Sequence, residues 1–232
     1  MTFKELQKLI ESQSQSRPNP EQSEQLNRLR DKRFWYWDKG RHEETDRANK
    51  GDCCFNHIVG LPTKDGIEKP IFAYEREMYF ALLKPGYLNS YPSTNQFNIK
   101  QNHVLFPFKE KHLWIKKATG LGVTEFMLRF MAWLCTRNDD YKDSQMVIVT
   151  GPNQELAIKL IKRMKALFEP KLGITFDSKE TVLELNGCSI EAYPSNHIDA
   201  FRSLTNPKFI LLEESDFFRK NEQEDVRHVS ER

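Results

Sequence analysis

Two short stretches of this sequence carry residue types that could do chemistry together. The first is Lys117-Ala118-Thr119-Gly120-Leu121-Gly122-Val123-Thr124. Small residues and glycines between an apolar run and a helical pattern let the backbone approach a ligand closely. The N–H groups at the helix start then face it, so the stretch is a candidate phosphate cradle. In the pattern GxxxxGK[ST], Gly122 takes the second glycine and Thr124 the magnesium-binding hydroxyl. Val123 stands in the lysine slot, and the nearby lysines are Lys116 and Lys117. The second stretch is Glu213-Glu214, closing the apolar run KFILL. One acid there can hold Mg²⁺ through water, and the next can orient or deprotonate an attacking water. Each stretch alone also has a plain structural reading, as a tightly packed glycine turn and as an acidic exit from a strand. Together, in this order and about 90 residues apart, they point to nucleotide hydrolysis, which needs both a phosphate cradle and a metal acid.

The elements needed to position these residues can be read from pattern. HLWIKK (112–117) predicts a strand entering the glycine loop, and TEFMLRFMAWLCTRN a helix leaving it. QMVIVT (145–150) predicts a second strand, stopped by Gly151-Pro152. In QELAIKLIKRMKALFE, Ala157, Leu160, Ile161, Met164, Leu167 and Phe168 form one apolar stripe of a helix. Its other face carries Lys159, Lys162, Arg163 and Lys165, which reads either as a solvated surface or as a track for a DNA backbone. Two alternating runs around Asn186-Gly187, within 181–193, predict a hairpin with a type I′ turn. KFILL (208–212) predicts a fully buried parallel strand, whose carboxyl end is where open α/β sheets place ligands. Asp216 is the expected cap of a following helix.

Upstream, IFAYEREMYFALLK predicts a helix and 84–102 a loop. Residues 1–69 read as an extension, with short helices at 3–12 and from a Ser23 cap, a Gln/Ser/Pro-rich linker between them, and an irregular segment over 34–68. Phe34-Trp35-Tyr36-Trp37 can stack on bases or pack the extension onto the core, and packing is the simpler reading. Cys53, Cys54, His57 and His42 fit no standard structural zinc spacing. Residues 70–232 form the expected core, an α/β domain with a mainly parallel sheet flanked by helices.

At this point the residues resemble the ATPase region of phage-type terminase large subunits, which drive DNA into viral capsids. KKATGLGVTEF is similar to that family's deviant Walker A, in which the lysine opens the loop. AYPSNHIDAFRSLTNPKFILLEESDFF is similar to its Ser-Asn, arginine and Walker B run, and YEREMYFAL to its adenine-side helix. The resemblance covers roughly residues 70–232. It implies an ASCE/RecA-like P-loop fold with a β-hairpin insertion, ATP and Mg²⁺ as cofactors, and ATP hydrolysis coupled to duplex-DNA translocation. It also implies portal and small-terminase partners, a homo-oligomeric ring, no membrane, and a host-cytoplasmic location with a transient stay at the procapsid. Carried over residue by residue, Lys117 serves the β/γ-phosphates, with Lys116 as its rival. Ala118, Thr119, Gly120, Leu121, Gly122, Val123 and Thr124 line the phosphates, and Tyr74 and Glu75 flank the base. Thr124 and Glu213 hold the metal, Glu214 activates water, and Arg202 senses phosphate, grips DNA or forms a surface ion pair. The sequence departs from the family at Thr119 for arginine, Glu213 for aspartate and Glu75 for glutamine. Two other readings stay open: a helicase-like or transposition-related nucleic-acid ATPase, and a degenerate P-loop module that binds DNA or a partner without turnover.

Composition bounds these readings. In 232 residues, 35 Lys+Arg against 33 Asp+Glu leave a net charge of +2, so no global cationic field marks a nucleic-acid partner. The most apolar stretch, Phe126–Cys135, is too short to span a bilayer and contains Arg129. The N-terminus lacks the apolar core of a signal peptide, and four cysteines make no disulfide framework. Because the chain ends 18 residues after Glu214, the resemblance implies the N-terminal part of a larger motor subunit.

Overall fold

Four strands make the central sheet of this computed structural model, in the order β4-β5-β3-β6. They are β3 (Gln145–Thr150), β4 (Val182–Leu185), β5 (Cys188–Pro194) and β6 (Pro207–Leu212). β3 pairs in parallel with both β5 and β6, and β4 pairs antiparallel with β5. The fold is therefore mixed α/β with a mostly parallel sheet. The structure describes residues 20–30, 32, 34, 35, 54–60, 63, 64, 67, 68, 73–83, 115, 120–137, 140–197, 204 and 207–230. The expected helix at 3–12 and loop at 84–102 lie outside them. Of the expected strand at 112–117, only Ile115 is described, and it has no regular structure.

Local chemistry explains these elements. β3 is an uninterrupted apolar run, and Met146 to Val149 are completely buried. The β4–β5 turn places Asn186 (φ 51°) and Gly187 (φ 76°) at the positive φ that a type I′ turn requires. β6 departs from expectation: only Phe209 is buried, while Ile210, Leu211 and Leu212 are half-buried. Among the described residues the ladder partner of β6 is β3.

Seven helices are described: α1 (Pro20–Leu29), α2 (Phe55–Val59), α3 (Ala73–Leu83), α4 (Val123–Cys135), α5 (Gln154–Lys165), α6 (Glu169–Leu172) and α7 (Lys220–Ser230). α4 is the innermost, with every residue from Phe126 to Cys135 buried. α5 starts where the Asn153 side chain accepts the Glu155 N–H at 2.8 Å. The six residues of its predicted stripe are all buried. α4 and α5 share one apolar cluster with Met146 and Ile148 on one face of the sheet. Val226 of α7 and Phe218 cover Val147 and Val149 on the other. Alternation of side chains along β3 thus builds a layer on each face.

The extension belongs to the same apolar cluster. Leu29, Phe34, Phe55, Ile58 and Val59 join it, and Phe34 lies 5.4–5.8 Å, centroid to centroid, from Tyr79, Phe126, Phe130 and Trp133. Packing, not base stacking, is the role of Phe34; Tyr36 and Trp37 lie outside the described residues. Two expectations change here. α1 opens at Pro20, whose fixed φ suits a first helical position, so Ser23 sits inside the helix and does not cap it. The segment 34–68 is not wholly irregular, because it holds α2 and a two-stranded ribbon, β1 (Thr63–Lys64) with β2 (Ile67–Glu68). Cys54 is buried, Cys135 and Cys188 are buried free thiols, and His57 faces the Trp35 ring at 5.4 Å. No helix among the described residues is long and apolar enough to cross a membrane.

Candidate functional site at the carboxyl edge of the sheet

The parallel strands β3, β5 and β6 end at one edge, and α4 begins there. Gly120-Leu121-Gly122 turns the chain into α4, with Gly120 at φ 83° and Gly122 at φ 80°. A Cβ at either position would meet nothing within 4 Å, so the requirement for glycine is conformational, not steric crowding. Gly122 caps α4, and the Phe126 N–H reaches its carbonyl at 3.0 Å as the first helical bond. The amides before Phe126 are those a helix start leaves to other partners, and Val123 is buried while Gly120 to Gly122 are exposed.

Thr124, in the first turn, meets β6. Its hydroxyl donates to Glu213 Oε1, joining residues 89 apart in the chain. Glu213 is 9% exposed, and its N–H donates to the Val149 carbonyl at 2.8 Å, which extends the β6 pairing beyond the strand. The next residue, Glu214, has φ 53° and ψ 44°, a left-handed conformation uncommon outside glycine. It is exposed and caps the short 3₁₀ turn Ser215–Phe217, through the Phe217 N–H to its carbonyl at 2.9 Å. Glu213 and Glu214 thus differ sharply, one buried against Thr124 and one exposed at the edge.

A hydroxyl and a carboxylate in contact are hard oxygen donors of the kind Mg²⁺ accepts, with water and phosphate oxygens completing its shell. Among the described residues no cluster of three or more His, Cys, Asp or Glu could hold a metal by itself. Thr124 and Glu213 supply two hard oxygen donors in contact with one another.

Tyr74, on α3, comes to the same edge, with Glu75 the next residue of that helix. The Tyr74 hydroxyl donates to the Leu121 carbonyl between the two glycines. Burial, then the neighbouring Glu75 charge, push the Tyr74 phenol upward, so it stays a donor. Lys116, Lys117, Ala118, Thr119 and Arg202 lie outside the described residues.

Behind the site is a polar network that pattern reading missed. Arg129, 7% exposed, donates to Glu125 Oε1 (2.9 Å), Asn56 Oδ1 (3.1 Å) and the Gly60 carbonyl (2.6 Å). Arg163 of α5 donates to the other Glu125 oxygen at 2.8 Å. Burial opposes ionisation of Glu125, but Arg129 and Arg163 outweigh it and hold the carboxyl below its usual range. The residue next to Thr124 is thus clamped from two helices. The only sequence signal was an arginine inside an apolar helix.

Two more basic residues of α5, Lys162 and Lys165, also have partners. Lys162 pairs with Glu180 at 2.9 Å, and Lys165 Nζ donates to the carbonyls of Ser178 and Lys179, each at 2.9 Å. Asp216 does not cap the next helix: it lies in the 3₁₀ turn, and α7 begins with the Arg219 N–H donating to Glu222 Oε2 at 3.1 Å. The same oxygen accepts the Ser195 hydroxyl at 2.7 Å, and both residues are buried. A glutamate three residues into a helix reaching back to the cap is the stronger start signal.

No protein-family model matches the chain, and no curated protein sequence matches it either.

Proposed function

We propose that this chain is a Mg²⁺-dependent ATPase of the P-loop, ASCE/RecA-like class, with the DNA-packaging ATPase of a terminase large subunit as its fullest form. The contact of the Thr124 hydroxyl with Glu213 carries the proposal. It couples the first turn behind a glycine loop to the acid that ends a parallel strand, at the edge where α/β sheets bind ligands. In this reading the backbone N–H groups from Gly120 to Thr124 cradle phosphate, with Lys117 as a point charge at the loop's base. Thr124 and Glu213 would hold Mg²⁺, which when bound neutralises charge on phosphate oxygens. Glu214, exposed beside Glu213, orients or deprotonates water. Tyr74 and Glu75 lie on the base side, and Arg202 senses phosphate or grips DNA. Coupling to duplex DNA, a ring of subunits, and portal and small-subunit partners rest on the resemblance of residues 70–232 to that family.

Phosphate release with Mg²⁺ or with chelator, with and without duplex DNA, tests this in wild type, Lys117→Ala and Glu214→Gln. The proposal expects Mg²⁺-dependent turnover that falls roughly 100-fold or more in Glu214→Gln, the range for loss of a general base. A wild type without Mg²⁺-dependent hydrolysis, or a Glu214→Gln variant at full rate, overturns it.

A further inference from the structure

We infer that Tyr74 is a positioning residue for the glycine loop, a latch that sets which way the Gly122 N–H points. The inference rests on the loop's proposed role as a phosphate cradle. A trans peptide is planar, and its C=O and N–H point in opposite directions. Fixing the Leu121 carbonyl therefore fixes the Gly122 N–H. Among the described residues no other hydrogen bond holds that peptide. Glycines flank Leu121 on both sides, each has open space where a Cβ would be, and Leu121 is 42% exposed. The α4 ladder restrains only the next carbonyl, that of Gly122, through the Phe126 N–H at 3.0 Å. The Tyr74 hydroxyl supplies the missing restraint, from a helix 47 residues earlier in the chain. Its ring packs against the main apolar cluster, so the latch has a firm base. With the Leu121 carbonyl drawn toward Tyr74, the Gly122 N–H faces away from Tyr74 and joins the amides at the α4 start. Without the hydroxyl, the loop samples the flipped peptide, which presents a carbonyl to an anion.

This role differs from contact with a base, and one substitution separates them. Tyr74→Phe removes the hydroxyl and keeps the ring. Affinities for MgATP and for inorganic tripolyphosphate with Mg²⁺ are measured by calorimetry on wild type and variant, alongside thermal melting and the ¹⁵N–¹H resonance of Gly122. The latch predicts that both ligands weaken by the same factor, about tenfold for one lost hydrogen bond. The Gly122 resonance shifts or broadens in the free variant, and the melting temperature holds. Loss for MgATP alone assigns Tyr74 to the base and overturns the latch, as does no loss for either ligand. A wild type that binds neither ligand removes the phosphate-cradle reading itself, and the latch with it.

Discussion

Arg129→Met should be among the most destabilising single changes in this protein. The substitution keeps an unbranched stem of similar reach inside α4 but removes three donations, to Glu125, Asn56 and Gly60. Asn56 is completely buried and Gly60 is buried too, so water cannot simply replace the guanidinium there. Each stranded acceptor costs about 1–3 kcal/mol, and breaking a buried ion pair from one side about 3–5 kcal/mol. Glu125 keeps Arg163 at 2.8 Å, which places the total near 3–5 kcal/mol and not at the sum. For a chain of this length each kcal/mol is worth about 2–4 °C, so the melting temperature should fall by roughly 10 °C. Urea and thermal unfolding at neutral pH measure it. The acid limb adds a second readout. Because the Glu125 pKa is depressed on folding, its contribution is present above the usual carboxyl pKa and is lost as pH falls through the folded value. Wild type should therefore lose stability below the usual carboxyl range more steeply than Arg129→Met, in which only Arg163 still depresses Glu125. A loss at neutral pH of about 0.5 kcal/mol, ordinary for surface positions, would refute the reasoning.

Two further outcomes follow from the geometry. Ser195→Ala removes the 2.7 Å donor to buried Glu222 and should lower hydrogen-exchange protection in α7 before the rest of the fold, by about 1.5–3 kcal/mol; uniform protection would contradict it. Gly187→Ala forces a Cβ onto a φ of 76° in the β4–β5 turn and should destabilise by about 1 kcal/mol in urea, and Asn186→Gly, which suits the turn but loses the 3.0 Å donation of the Asn186 side chain to the Cys135 carbonyl, should cost about 0.5–1.5 kcal/mol.

What was legible in the sequence is what short-range pattern encodes. The β3 run, the α5 stripe and the Asn186-Gly187 turn all depend on neighbours within a few residues, and each formed where expected. Thr124 and Glu213 were readable as candidates because their residue types and order have chemical meaning, but their contact spans 89 positions. The Tyr74 bond to Leu121 spans 47 and ends on a backbone carbonyl, which no side-chain pattern reveals. Arg129 read as a mark against a membrane span, while its partners Asn56 and Gly60 sit about 70 residues away in a segment expected to be irregular. Tertiary contact also overrode local signals at α2, where Phe55, Ile58 and Val59 fold as a helix because the core accepts them. At α1, the proline at the first turn outweighed the serine three residues on.

The most direct test of the central claim is the Mg²⁺ dependence of ATP binding in wild type and Thr124→Val, followed by calorimetry under conditions without turnover. Valine keeps the size of threonine and removes only the hydroxyl that meets Glu213. The account predicts that Mg²⁺ strengthens ATP binding to wild type by at least about tenfold and that Thr124→Val loses most of this gain with its melting temperature within a few degrees of wild type. ATP binding that ignores Mg²⁺ in wild type, or a full Mg²⁺ effect in Thr124→Val, would contradict it.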